Sequence, residues 1–181
     1  MNGNTTLSIR FAVFASQTIA FETGGDKSGG YTNDPSDAGG ETKWGISKRA
    51  HPELNIKALT FTEALHIYEN TYWKPSYDKI LSDRIAFKLF DMGVLCGTRT
   101  SAIVIQQAVK KAGSLIRVDG NIGNITIAAI NNINEDLLYN HIIAIFEARF
   151  KRIVLFRPLN RKYLKGWLRR LNYVWKVNDG K

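Results

Sequence analysis

A cluster of glycines is the feature that most limits how this chain can fold. Seven of its 15 glycines lie between Gly24 and Gly45, in a stretch that also holds Asn33, Asp34 and Pro35. Because glycine, asparagine and proline favour turns and glycine weakens helices, this stretch is incompatible with a long helix. We therefore predict turns and a small β element near residues 29–47.

Apolar residues on both sides of this cluster recur every three or four positions, which predicts helices. One helix ends at Glu22, where the glycines stop it. Thr60 and Glu63 have the spacing of a capping box that opens a second helix. Further helices are predicted over residues 83–95, 100–112, from Thr126 onward, over 135–156 and over 163–174. The fold class is therefore mainly α.

The composition is that of an ordinary folded protein, with 181 residues of which 44% are hydrophobic and 23% charged. Cys96 is the single cysteine, which excludes an intramolecular disulfide. The sequence holds no apolar run of the length that a membrane-spanning helix needs. Its N-terminus lacks the features of a standard signal peptide, so we expect synthesis in the cytoplasm without one.

Charge is distributed unevenly along the chain. The net charge is +9, from 25 basic and 16 acidic residues. Residues 1–97 hold 10 basic and 11 acidic residues, and residues 98–181 hold 15 and 5, which gives −1 and +10. A basic region of this kind attracts nucleic acid, an anionic membrane or an anionic wall polymer, or it is only a solvated basic surface. Charge alone leaves these alternatives open.

Carboxylates surround the predicted end of the first helix. Glu22 ends that helix, and Asp34, Asp37 and Glu41 follow in the turn region. Cleavage of a glycosidic bond needs a proton donor and usually a second carboxylate. The same spacing also fits a solvated residue at a helix end, followed by aspartates that form turns. The spacing alone does not decide between them.

Residues 21–47 resemble the signature of the glycoside hydrolase family 108 N-acetylmuramidases of phages and bacteria. The motif that carries the resemblance is Gly29-Gly30-Tyr31, Asn33-Asp34-Pro35, Asp37, Gly39-Gly40, Glu41-Thr42 and Trp44-Gly45-Ile46. Residues 118–131, with Gln106 upstream, resemble the peptidoglycan-binding-like module of this family. The resemblance implies a lysozyme-like helical fold with a catalytic region at residues 1–97. It also implies a helical peptidoglycan-binding-like region at residues 98–181, packed against the first.

The resemblance further implies hydrolysis of the β-1,4 bond between N-acetylmuramic acid and N-acetylglucosamine. Glu22 takes the place of the catalytic acid, and two further residues that assist it are Asp37 and Thr42. Substrate-binding roles fall to Tyr31, Asn33 and Trp44, although Tyr31 and Trp44 are equally compatible with a place in the core.

Two features depart from the family pattern. The family glutamate stands directly before Gly-Gly-Tyr, whereas Ser28 occupies that place here and residues 23–28 are an insertion after Glu22. Asp26, within this insertion, competes with Glu22 for the acid role. Leu95 stands where the family often has asparagine.

This interpretation predicts peptidoglycan as the partner and a monomer that acts on the cell wall. It predicts no cofactor, no metal, no nucleic acid partner and no stable membrane insertion. The chain's three histidines are far apart, without a zinc-peptidase motif. Cys96 has an apolar context, which indicates a buried, inert thiol. Basic residues 149–176 are expected to attract the anionic wall. The alternative function is a peptidoglycan-binding protein without catalysis.

Overall fold

Helices dominate the computed structural model, which describes residues 7–34 and 40–175. Within these residues there are seven α-helices and one two-stranded sheet, which confirms the prediction of a mainly α fold with a small β element. The chain divides into two units, Met1–Trp73 and Lys74–Lys181, and each is described by itself. The domain boundary at residues 97/98, which the family motifs suggested, stays a prediction.

The first unit holds two helices and a hairpin. In chain order its elements are α1 (Ile9–Glu22), β1 (Thr42–Lys43), β2 (Ile46–Ser47) and α2 (Phe61–Tyr72).

Helix α1 is capped at its N-terminus by Ser8, whose side chain accepts a hydrogen bond from the N–H of Phe11. Its buried face includes Phe11 and Phe14, and both rings pack against Trp73, at centroid distances of 5.6 and 6.0 Å. These contacts bury the apolar stripe that the sequence predicted and fix the direction of α1, and therefore the position of its last residue.

A tight turn joins the two short strands. The strands pair antiparallel with Thr42 opposite Ser47 and Lys43 opposite Ile46. The two residues between them, Trp44 and Gly45, both have positive φ, of 55° and 75°. Two positive φ angles in a two-residue loop are the mark of a type I′ turn, whose twist matches that of a hairpin.

Helix α2 begins with the predicted capping box. The side chain of Thr60 accepts from the N–H of Glu63, and the Glu63 carboxylate accepts from the N–H of Thr60 at 2.8 Å. These bonds satisfy backbone donors that a helix start leaves open and hold the carboxylate of Glu63 at the helix start.

The second unit is a group of five helices, and each of them starts within two residues of the predicted start. They are α3 (Asp83–Cys96), α4 (Thr98–Lys111), α5 (Asn124–Asn132), α6 (Glu135–Phe156) and α7 (Arg161–Leu171). Helix α4 packs on α3 and α6, and α6 packs on α7. Pro158 follows the end of α6 in a short 3₁₀ turn, as expected for a residue that cannot continue a helix.

A buried glutamine organises the loop before α5. The side-chain oxygen of Gln106 accepts from the N–H groups of Asp119 and Gly120, at 3.0 and 2.7 Å. Its side-chain nitrogen donates to the Asp119 carboxylate at 2.9 Å and to the Asn121 carbonyl at 3.0 Å. The loop motif and the upstream glutamine that the sequence singled out together therefore form one hydrogen-bonded unit.

A charged cluster that was not predicted from the sequence lies in the core of the second unit. Lys88, Asp91 and Arg170 are all buried, and Arg170 Nη2 lies 2.9 Å from the Asp91 carboxylate. The ammonium group of Lys88 donates to the carbonyls of Leu171 and Tyr173, at 2.7 and 3.1 Å. These bonds fasten the C-terminal end of α7 to α3.

No helix of the described residues combines the length and the apolar character that a membrane crossing needs.

Candidate active site

Glu22 is the last residue of α1. The helix ends because the next N–H groups fold back onto it: that of Thr23 donates to the Ile19 carbonyl and that of Gly25 to the Ala20 carbonyl. Gly24 and Gly25 follow with φ of 63° and 86°, conformations that glycine adopts without strain. The exposed side chain of Glu22 thus stands on a fixed helix end, as the sequence predicted.

The hairpin turn lies directly against this side chain. A Cβ atom placed on Gly45 would lie 2.9 Å from Cβ and 3.0 Å from Cγ of Glu22, and 2.5 Å from the hydroxyl of Tyr68. Only a residue without a side chain fits between these two groups. Gly45 therefore limits the direction in which the Glu22 carboxylate can point.

Two tyrosines of α2 complete the surroundings of Glu22. The buried Tyr68 donates its hydroxyl hydrogen to the Trp44 carbonyl at 3.1 Å, and its ring lies 5.6 Å from that of Tyr72. Burial raises the pKa of Tyr72, and the negative charge of Glu22 raises it further. The Tyr72 hydroxyl therefore lies within electrostatic range of Glu22. From the sequence alone, both tyrosines are predicted only as members of the apolar face of the second helix.

Trp44 is held on several sides. Its indole N–H donates to the Leu59 carbonyl at 3.1 Å, and its ring meets Phe61 edge-on at 5.1 Å. A Cβ on Gly29 would lie 2.6 Å from the indole ring. Trp44 is half-buried. Its exposure is therefore compatible with both hypotheses from the sequence, a core aromatic residue and a sugar contact.

A cavity of about 380 Å³ opens beside Trp44. Its walls come from α1, from the insertion after Glu22 and from the aromatic pair of Trp44 and Phe61. The lining residues are Ser16, Ile19, Ala20, Thr23, Gly25, Asp26, Lys27, Trp44 and Phe61. The inserted residues thus form one wall of a cavity that begins next to the helix end.

Asp26 has a structural task in this insertion. One oxygen of its carboxylate accepts from the N–H and the hydroxyl of Ser28, at 2.8 and 2.7 Å. These bonds to Ser28 lower the pKa of Asp26. A carboxyl group that is held ionised is a poor proton donor, which argues against Asp26 as a general acid.

The segment before the hairpin places three other predicted residues near β1. Thr32 and Thr42 exchange backbone hydrogen bonds of 2.9 Å, and the Thr42 hydroxyl donates to the Gly40 carbonyl at 3.4 Å. Tyr31 and Asn33 flank this bridge and are exposed.

The Tyr31 hydroxyl donates to the Glu41 carboxylate at 2.8 Å, and this bond raises the pKa of Tyr31. Glu41 therefore supports the position of a predicted sugar contact. Asp37, the predicted second carboxylate, lies outside the described residues.

Cys96 has the environment of an inert thiol. Its sulfur donates to the Met92 carbonyl at 2.9 Å, and burial raises the pKa of the thiol to about 11. In the described part of the chain, no group of three or more His, Cys, Asp and Glu side chains is arranged to hold a metal ion.

Two protein families match consecutive parts of the sequence. Residues 25–97 match the family described as Glycosyl hydrolase 108, and residues 100–172 match the one described as Predicted Peptidoglycan domain. The chain carries a glycosyl hydrolase 108 domain. Its family domains connect it with the hydrolysis of peptidoglycan. The match begins at Gly25, three residues after Glu22, so it does not itself assign a role to that residue.

The fold of this protein is shared with a solved structure described as "Structure of Brucella abortus SagA". The two chains are 24% identical, with a TM-score of 0.61, and the similarity covers 88% of this chain and 91% of that one. At this identity the similarity establishes the fold alone. No curated protein is similar enough to this chain to count as a match.

Proposed function

We propose that this protein is an N-acetylmuramidase. It cleaves the β-1,4 bond between N-acetylmuramic acid and N-acetylglucosamine in peptidoglycan, and Glu22 is the general acid. The observation that carries the proposal is the position of Glu22. Its side chain stands at the end of a helix, against the glycine of the hairpin turn, and the residue that follows it, Thr23, lines an open cavity.

The proposed chemistry follows from the reaction. The bridging oxygen leaves as a hydroxyl group only if a proton reaches it while the sugar develops oxocarbenium character. A carboxyl group whose side-chain stem is fixed by Gly45 and α1 can donate that proton with little reorganisation. Asp37 and Thr42 assist it by stabilising positive charge or by positioning water. The Thr42 part is supported by its place in β1, three residues before Gly45.

The sugar contacts are proposed from exposure and chemistry. Tyr31 and Asn33 are exposed on the segment that pairs with Thr42 and offer polar groups and an aromatic face. Trp44 presents the part of its ring that neither Phe61 nor Gly29 covers, and aromatic faces suit the apolar faces of sugars. These three residues therefore remain the proposed substrate-binding set.

A second candidate function is peptidoglycan binding without catalysis. The insertion of residues 23–28 between Glu22 and the Gly-Gly-Tyr motif is the observation that favours it, because it separates the acid from the residues that follow it directly in the family pattern. Under either function the partner is the cell wall, and we propose that the protein acts on it as a monomer.

Replacement of Glu22 by glutamine tests the catalytic proposal. Glu22→Gln keeps the size and packing of the side chain but removes the acidic proton, so hydrolysis of purified peptidoglycan should fall by at least about a hundredfold. Reducing ends of muramic acid released from the wall are the measurement. Binding to insoluble wall should persist.

Asp26→Asn is the matched control, because it removes a neighbouring carboxylate that the structure assigns to the turn at Ser28. This variant should keep most of the wild-type activity. Full activity in Glu22→Gln would eliminate Glu22 as the acid. A wild-type protein that binds the wall and releases no reducing ends would support the non-catalytic function instead.

A further inference from the structure

The turn between α6 and α7 carries large apolar side chains on its surface. Phe156 is 70% exposed and Leu159 is 89% exposed, and Leu155 and Tyr163 on either side of them are exposed as well. Isolated exposed apolar residues are ordinary, but four of them between Leu155 and Tyr163, on either side of one turn, are a concentration that needs an explanation. We call these four residues the turn patch.

These four side chains are not part of the core of the second unit. On α6 the inward position is filled by Phe150, which packs on Phe146 and on Trp167 of α7, at centroid distances of 6.0 and 5.4 Å. The buried pair of Asp91 and Arg170 fastens the far end of α7. Both helices are therefore anchored by other residues, and the turn patch is presented outward from a fixed support.

Cations surround the turn patch. Arg152, Arg157, Arg161 and Lys162 are exposed, and the sequence from Arg149 to Lys176 contains ten basic residues and no acidic one. The Arg152 guanidinium lies 5.7 Å from the centre of the Phe156 ring, and the Lys162 ammonium lies 5.0 Å from that of Tyr163. Apolar and cationic groups thus share one surface.

We infer that the turn patch and its cations dock on the surface of an anionic lipid bilayer. A bilayer of this kind has a counterpart for each component of this surface. Its negative headgroups attract the cations, and the apolar layer below them accommodates Phe156 and Leu159. The contact is peripheral and reversible, because the apolar side chains of one turn reach only the boundary between headgroups and acyl chains.

Other occupants satisfy only half of this surface. A dissolved polyanion neutralises the cations but leaves the apolar side chains in water. A second copy of the chain covers the apolar side chains but brings two groups of like charge together, which opposes association. The inference does not depend on the proposed hydrolase function, because none of these residues belongs to the unit that holds Glu22.

Vesicle sedimentation with the full chain tests the inference. The probes are vesicles of phosphatidylcholine alone and vesicles that also contain phosphatidylglycerol. We expect binding only to the anionic vesicles. Phe156→Ser with Leu159→Ser, and separately Arg157→Gln with Arg161→Gln, should each weaken it at least about tenfold. The first variant removes the apolar groups that enter the interface, and the second removes two charges near the anionic surface.

The matched control is Leu115→Ser with Ile125→Ser, which removes two apolar side chains that are 97% and 78% exposed elsewhere in the same unit. This variant should bind like the wild type, and so should Glu22→Gln, whose failure to hydrolyse peptidoglycan is unrelated to lipid. Circular dichroism verifies that all variants are folded.

Three results would overturn the inference. One is absence of binding to anionic vesicles, and another is wild-type binding by the Phe156→Ser/Leu159→Ser variant. The third is a short DNA duplex that binds as tightly as the vesicles and loses affinity equally with the apolar and the arginine substitutions. In that case the surface would recognise a nucleic acid.

Discussion

Gly45 is the residue whose replacement should report most directly on the geometry around Glu22. It combines a φ of 75° with neighbours that leave no room for a Cβ atom, the hydroxyl of Tyr68 and the side-chain stem of Glu22. Gly45→Ala must therefore displace one of them. We expect it to lower both the stability of the fold and the rate of peptidoglycan hydrolysis, because the carboxylate moves with the turn.

Gly40→Ala separates strain from steric overlap. Gly40 has a similar φ of 67°, but its nearest neighbour would be Lys48 Cβ at 3.9 Å, so a methyl group fits there. Gly45→Ala should cost about 1–3 kcal/mol more than Gly40→Ala in the free energy of unfolding, the usual range for overpacking. Urea denaturation measures this difference, and equal costs would show that the close approach at Gly45 does not constrain the site.

Tyr72 offers a spectroscopic test of its distance from Glu22. Burial and the negative charge of Glu22 both disfavour the tyrosinate and raise the pKa of Tyr72. Glu22→Gln removes the charge and leaves the burial, so the pKa of Tyr72 should fall in that variant. Ultraviolet titration of tyrosinate, compared with the same pair of proteins carrying Tyr72→Phe, isolates this group. An unchanged titration would place Tyr72 out of reach of Glu22.

The position of Glu22 could be predicted, whereas its neighbours could not. A helix end follows from apolar spacing and from the glycines after it, which are local properties of the sequence. Gly45 meets Glu22 and Tyr68 across separations of more than twenty residues. No local pattern encodes such contacts, although the family motif already included Gly45. One signal in the sequence was missed. The inner face of α2 carries tyrosines at positions where phenylalanine would pack equally well.

At the level of elements, the sequence was most informative where side chains cap the backbone. Thr60 and Glu63 fix the start of α2 through their own hydrogen bonds, and the structure confirms it. Helix α5 begins at Asn124, two residues before the predicted Thr126, and no side chain caps its start. The insertion at residues 23–28 was recognised as an addition, but its role as a cavity wall depends on Trp44 and Phe61, which lie on other elements.

The attachment of α7 to α3 should make stability depend on pH. Burial lowers the pKa of Lys88 to about 8, from 10.5 in an exposed lysine. Below pH 8 the lysine is charged in both states, so the cost of burying the charge is fully present. Between about pH 8 and 10.5 the folded protein releases the proton more readily than the unfolded chain, and the free energy of unfolding rises with pH.

Lys88→Met should abolish this rise. Both proteins are compared by urea denaturation over the same pH range, so that titration of other groups cancels in the difference. Lys110→Met, which replaces an exposed lysine on α4, is the control and should keep the wild-type rise. If the difference between wild type and Lys88→Met stays constant with pH, Lys88 does not titrate in this interval.

At the level of the whole molecule, charge and chemistry are divided along the chain. The proposed acid and its neighbours lie in a stretch with a charge of −1, and the +10 stretch contains the match to the peptidoglycan domain. The division of charge follows directly from the sequence, because charged residues can be counted. The sequence could not show that the basic stretch also presents apolar side chains, since exposure depends on which face of α6 and α7 the core covers.

This division predicts how binding to the wall responds to salt. In the Glu22→Gln variant, which is expected to bind without cleaving, affinity for purified wall should fall several-fold as salt shortens the screening length from about 10 Å at 0.1 M to about 3 Å at 1 M.

Arg157→Gln with Arg161→Gln should weaken binding and reduce its salt dependence. Arg49→Gln with Lys57→Gln removes the same charge from the stretch where acidic residues already balance it, so its effect should be smaller. Binding that is insensitive to salt would instead indicate that contacts with the sugars and peptides themselves hold the protein on the wall.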